Sequence, residues 1–175
     1  MSGNKTVFLS FSALTAALLG LLSQIALPLP SGVPLTFQTF GVALSGFLLG
    51  IPSGLCAVGT WLALGAVGLP LFSGFRGGTA VLFGPTGGFL LGFLLLVLFC
   101  GIAKHLPFRK GLLWMILGTL LCHLCGIFWF LWMGNTTFSA ALLAVSLPYL
   151  PKDLLCVGLA FWTARGLRKK IPLLK

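Results

Sequence analysis

Asp153 is the single acidic residue of this chain, and it heads an apolar run, Leu154-Leu155-Cys156-Val157-Gly158-Leu159-Ala160-Phe161-Trp162. A carboxylate at the edge of a membrane-length segment costs on the order of several kcal/mol unless partners satisfy it, so an acid there marks a functional site. Two roles are open to it. It can accept hydrogen bonds from the N–H groups of a ligand. It can also cap a helix, because an Asp accepts backbone N–H groups and suits the positive end of the helix dipole. Lys152 precedes it directly. Arg76 stands in Gly74-Phe-Arg-Gly-Gly78, where a guanidinium fork fits a ligand anion. The competing role for Arg76 is to snorkel toward lipid headgroups.

The remaining inventory excludes several chemistries. Neither His105 nor His123 has an acid near it in sequence, and a relay of Asp, Glu and His needs more than one acid. Gly84-Pro-Thr-Gly-Gly88 precedes an apolar run, but a phosphate-binding loop of the GxxxxGK[ST] type also needs a lysine that is absent here. Cys122 and Cys125 flank His123 with no second pair nearby, which suits small packing residues better than a metal or redox centre. No catalytic set, no metal site and no cofactor is expected, and the chain is not expected to be an enzyme.

The elements that must position these groups are apolar. Hydrophobic residues make up 58% of the chain and charged residues 7%, against about 25% charged in a soluble domain. No Asp, Glu, Lys or Arg occurs over 6–75, 77–103, 111–151 or 154–164. A helical membrane passage needs about 20 apolar residues. The expected fold is therefore an all-α integral membrane protein of six transmembrane helices in a single membrane domain, 1–175. The spans are about 7–27, 37–50, 54–67, 89–103, 111–133 and 151–167. Pro28 and Pro30 stop the first span, and Pro52 marks the turn into the third. Between the third and fourth spans, residues 68–88 carry seven glycines and two prolines, a glycine-rich irregular segment. A wetter stretch begins at Gly134-Asn135, with a short helix expected over 139–145.

The net charge of +10 comes from cations at span ends: Lys5, Lys104, Arg109, Lys110, and the cluster from Arg165 to Lys175. Six spans put all of these on one side, the cytoplasmic one, with both termini. The opposite side then carries Arg76, Lys152 and Asp153. Thr36, Gln38, Thr86 and Tyr149 lie on that side too. A few polar groups in an apolar wall describe a small-molecule mouth that faces outward. In the first span, Ala13 and Ala17 are one turn apart, as are Ala16 and Gly20. Small residues at that spacing let another helix approach closely, whether inside the bundle or outside it.

Together these residues resemble the BioY family, the biotin-specific substrate-capture (S) components of energy-coupling-factor transporters. The stretches that carry the resemblance are Gln24-Ile25, Pro28-Leu-Pro30, Val33-Pro-Leu-Thr-Phe-Gln38, Gly68-Leu-Pro70 and Gly74-Phe-Arg-Gly-Gly78. Gly84-Pro-Thr-Gly-Gly-Phe89 and Pro148-Tyr-Leu-Pro-Lys-Asp-Leu154 complete it, and it covers nearly the whole chain. It implies a plasma-membrane subunit that binds biotin with high affinity for uptake. The energy would come from other chains, a transmembrane coupling protein and cytoplasmic ATPases. It also implies that Ala13 and Ala17 form the docking face. The family reads Asp-x-x-Lys at the start of the last span. Here Cys156 stands at the lysine position, and Lys152 either takes over the contact or the contact is lost.

Biotin chemistry fits the same residues. Asp153 can accept from the ureido N–H groups, Arg76 can pair with the valerate carboxylate, and Phe37, Phe75 and Tyr149 can wall the fused rings. The competing function is an ion-coupled secondary transporter of a small anionic solute, for which a single acid is a poor coupling site.

Overall fold

The computed structural model of the chain describes residues 2–134 and 136–171. Asn135 and Lys175 lie outside the described residues, as does the side chain of Lys5. The fold is built of helices: α1 (Ser2–Gln24), α2 (Gln38–Leu49), α3 (Ile51–Ala66), α4 (Thr79–Leu82), α5 (Gly87–Ala103), α6 (Phe108–Met133), α7 (Phe138–Ala141) and α8 (Leu150–Lys170). A π-helical turn, Leu142–Ser146, joins α7 to the approach to α8. Two short strands, β1 (Ala26–Leu27) and β2 (Leu35–Thr36), pair antiparallel with Ala26 opposite Thr36 and Leu27 opposite Leu35.

Turn chemistry accounts for where the elements begin and end. The first helix stops at Gln24, short of residue 27, because the chain is drawn off into the β1–β2 hairpin around the proline-rich loop. Pro52 does not make the turn before α3. It sits in the first turn of that helix, where its missing N–H costs nothing, and Gly50 at φ 83° makes the corner. Pro151 likewise lies in the first turn of α8, which begins at Leu150 after Tyr149 in the cap position. Asp153 is therefore inside the helix, its own N–H bonded to the Tyr149 carbonyl at 2.9 Å. The capping role is corrected on this ground: Asp153 is a first-turn residue, not the cap.

α2 is the axis of the bundle. All its residues except Phe40 and Leu49 are buried, and it packs against α1, α3, α5 and α8. Its crossing with α5 is very close: a Cβ at Gly46 would lie 2.6 Å from the Val97 carbonyl oxygen. Around it, Phe47 meets Phe161 edge-on at 5.3 Å, and Trp61 meets Phe72 in the same manner at 5.3 Å. The Trp61 indole N–H is satisfied by the Leu71 carbonyl at 3.1 Å. At one end, Arg168 ties the helices together by donating to the carbonyls of Lys104 (2.6 Å) and Phe47 (3.3 Å). Burial and the adjacent Lys104 and Arg168 cations push the pKa of His105 below its ordinary value.

Two helices are long and apolar enough to cross a membrane, Thr6–Gln24 and Phe108–Met133. A third crossing arises if Phe138–Ser146 and Leu150–Lys170, bent by 48° at their junction, act as one. α2, α3 and α5 are apolar but shorter, at 12, 16 and 17 residues.

Between α3 and α4 the chain leaves helical geometry. Gly74 (φ 72°) and Phe75 (φ 56°) form a left-handed corner that returns the chain so that the Phe72 N–H reaches the Arg76 carbonyl at 2.9 Å. Gln24 at the end of α1 holds this corner, accepting from the Phe75 N–H at 2.8 Å through its side-chain oxygen.

Candidate ligand-binding site

A cavity opens between the 72–76 corner, the β2–α2 junction, α5, α6 and the start of α8. It brings together Thr36, Gln38, Arg76, Thr86, Tyr149, Lys152 and Asp153, all expected at the mouth from sequence. Its apolar walls are Val33, Pro34, Phe72, Val81, Phe89, Leu90, Phe93 and Leu96.

The polar side of the cavity is a connected chain of contacts. Ser23 of α1 accepts from the Gln38 amide at 3.1 Å, and the Gln38 side-chain oxygen accepts from the Thr36 hydroxyl at 3.0 Å. The Thr36 carbonyl accepts from the Lys152 ammonium at 2.7 Å. Lys152 also contacts Asp153 Oδ1 directly. On the other side, His123 Nε2 lies 3.1 Å from Asp153 Oδ2, and His123 Nδ1 lies 2.9 Å from the Ser146 hydroxyl. Tyr149, 3% exposed, donates its phenol to the Val33 carbonyl and meets the Ser31 hydroxyl at 2.7 Å. Its edge of the cavity is thereby fixed to the proline-rich loop.

Lys152 keeps a contact with Asp153 although it precedes it by one position. At position 156, where the family's lysine would stand, Cys156 is buried. Arg76 is exposed, and its Nε donates to the Ser73 carbonyl at 3.1 Å, which aims the guanidinium along the cavity rim. Asp153 is the chain's single acid and is engaged by Lys152 and His123. Counting Arg76, Lys152 and Asp153, the cavity carries one more positive charge than negative.

Two sequence expectations need correction. Phe75 is 72% exposed and is not part of the cavity wall, because the left-handed corner at residues 74–75 turns its side chain outward. Phe37 is 42% exposed and also lies off the wall. The aromatic walls are Phe72, Phe89, Phe93 and Tyr149, of which only Tyr149 was expected in that role. The second correction concerns His123, which has an acid partner after all. Asp153 lies thirty positions away along the chain and is brought to it by the packing of α8 against α6. The available signal was an ionisable residue inside an apolar helix, which in a membrane is a functional indication in its own right.

Ala13 and Ala17 lie elsewhere, on the exposed face of α1, while Ala16 and Gly20 are buried against the bundle. A Cβ at Gly20 would sit 3.0 Å from Leu71.

The family model described as the BioY family matches residues 3–173. The probable biotin transporter BioY of Pyrococcus horikoshii is 32% identical over 165 residues, spanning 94% of this chain and 98% of the relative. The biotin transporter BioY of Rhodobacter capsulatus is 33% identical over 186 residues, spanning 98% and 96%. A crystal structure of the S-component for biotin from an ECF-type ABC transporter superposes with a TM-score of 0.87 at 28% identity, covering 97% of this chain and 94% of that one. With the family model spanning nearly all of the sequence and full-length relatives above 30% identity, this chain belongs to the BioY family.

Proposed function

We propose that the chain is the biotin-binding membrane subunit of an energy-coupling-factor importer. It takes biotin from the outer side of the plasma membrane, and a transmembrane coupling protein with cytoplasmic ATPases, supplied by other chains, drives its release inward. The observation that carries this reading is the charge pattern of the cavity. A buried acid sits at its inner end and an arginine at its rim, with one unit of positive charge in excess. That pattern is complementary to a molecule with N–H donors at one end and a single carboxylate at the other. Biotin has this form, and biotin is the ligand named for the relatives and for the structural neighbour.

In this reading Asp153 accepts from a ureido N–H, with Lys152 holding the carboxylate charged. Gln38 and Thr36 border the ring system, and Phe72, Phe89, Phe93 and Tyr149 wall it. Arg76 pairs with the valerate carboxylate, and Phe75 stays on the outer rim. Arg76→Gln is expected to weaken biotin binding about tenfold or more, the size of one charge-assisted bond, and to weaken binding of biotin amide much less. Equilibrium titration of the purified protein with both ligands checks this. Equal losses for the two ligands would remove Arg76 from the carboxylate end.

The chain forms one membrane domain over 1–175 with six passages, α1, α2, α3, α5, α6 and α8. α2, at roughly 18 Å, is shorter than the hydrocarbon thickness and makes its passage sunk among the others. The grouping of cations at one end supports cytoplasmic termini. Single cysteines at positions 2 and 174, in a background lacking the native cysteines, are expected to resist an impermeant maleimide in intact cells and to react after permeabilisation. Labelling of both from outside would reverse the topology.

A further inference from the structure

We infer that His123 is the positioning residue that fixes Asp153 for its ligand. This rests on Asp153 being the ligand's acceptor. An ionised carboxylate only accepts, so the 3.1 Å contact requires that Nε2 carry the proton and donate it to Oδ2. Nδ1 is held in turn by the Ser146 hydroxyl at 2.9 Å. Ser146, 3% exposed, reaches the ring because the chain there is a π-helical turn, with the Leu147 N–H bonded five residues back to the Leu142 carbonyl at 2.9 Å. Such turns re-aim a side chain at functional sites. The ring plane is set from a third side by Phe89, edge-on at 5.6 Å. Ser146, Asp153 and Phe89 thus converge on one imidazole.

The consequence lies at the other carboxylate oxygen. Oδ1 is buried and faces the Lys152 ammonium, yet it has no well-directed hydrogen bond. With Oδ2 committed to His123, the carboxylate cannot rotate freely, and Oδ1 is the oxygen left with acceptor capacity in the cavity. A ligand donor brought to that point adds a directed bond to Oδ1 beside the Lys152 ion pair. A carbonyl or ether oxygen placed there faces repulsion from the carboxylate. His123 touches no ligand in this arrangement. It acts through Asp153, making the inner end of the cavity selective for an N–H group.

A double-mutant cycle tests this with the full-length purified chain and biotin as the titrant. His123→Phe, which keeps a flat ring against Phe89, is expected to weaken biotin about tenfold in the parent. It should cost less than about twofold in an Asp153→Asn background, since coupled residues are not additive. His123→Gln, whose amide can still donate to Oδ2, should restore most of the loss. Should His123→Phe not purify folded, Ser146→Ala replaces it, with a loss of about threefold in the parent and none beside Asp153→Asn. Equal losses in both backgrounds would overturn the inference, since His123 would then act only by filling space. Parent-like binding by His123→Phe would overturn it as well. Parent-like binding by Asp153→Asn alone is a different outcome, and it would remove the ligand role of Asp153 on which the inference stands.

Discussion

Replacing Asp153 with Asn is expected to weaken biotin binding by about 1.5–3 kcal/mol, roughly 10- to 150-fold, while the protein stays folded. The substitution keeps the shape and removes the charge. In the parent the carboxylate answers the Lys152 ammonium on one oxygen and His123 on the other, at 7% residue exposure. With Asn the ligand loses a charge-assisted acceptor, and Lys152 is left as a cation without a counter-charge beside it. Helix capping does not enter, because the cap position belongs to Tyr149. Titration calorimetry against biotin, with a thermal melt of each protein, reads both quantities. An unchanged affinity in a folded variant would mean that Asp153 is structural and that the donor end of the ligand lies elsewhere.

Ala13→Trp and Ala17→Trp are expected to leave biotin binding within about twofold of the parent and to reduce module-driven uptake to background. The face of α1 that carries them is exposed, and Leu14 (67%) and Leu21 (70%) flank the small pair. An indole there meets no neighbour in the chain, so the bundle and the cavity are undisturbed. On the proposed docking role, what it would block is the close approach of a partner helix along a small-residue track. The opposite face of the same helix behaves differently. There Ser12 donates to the Ser53 carbonyl at 3.2 Å, and Ala16 and Leu19 are buried. A tryptophan at Ala16 should therefore unfold the protein. Uptake assays in cells expressing the coupling module, paired with binding to the purified variants, separate these effects. Loss of both binding and folding at Ala13 or Ala17 would place that track inside the bundle.

Much of the helical architecture was legible because apolar runs and breakers are local signals. The apolar runs on either side of residues 50–52 correspond to α2 and α3, and the polar break expected at 104–110 separates α5 from α6, although α6 already begins at Phe108. What sequence missed were non-local competitions. The last residues of the first apolar run left the helix because a hairpin partner was available at residues 35–36. Pro52 reads as a turn before the third span, although a helix tolerates proline in its first turn, as Pro151 at the expected start of the last span shows.

At the site, the polar residues could be listed from charge and sidedness alone, since charged groups are so few. Their pairing could not. His123 and Asp153 stand thirty positions apart, and only the packing of α6 with α8 brings them to 3.1 Å. The outward turn of Phe75 depends on a positive φ at a non-glycine residue, which no propensity announces. Phe72, three residues earlier, takes the wall position instead.

The most direct measurement is equilibrium binding of radiolabelled biotin to the purified chain in detergent, with no other protein present. The account predicts saturable binding, one biotin per chain, displaced by unlabelled biotin and weakened by Asp153→Asn. A folded, monodisperse preparation that binds no biotin would contradict it.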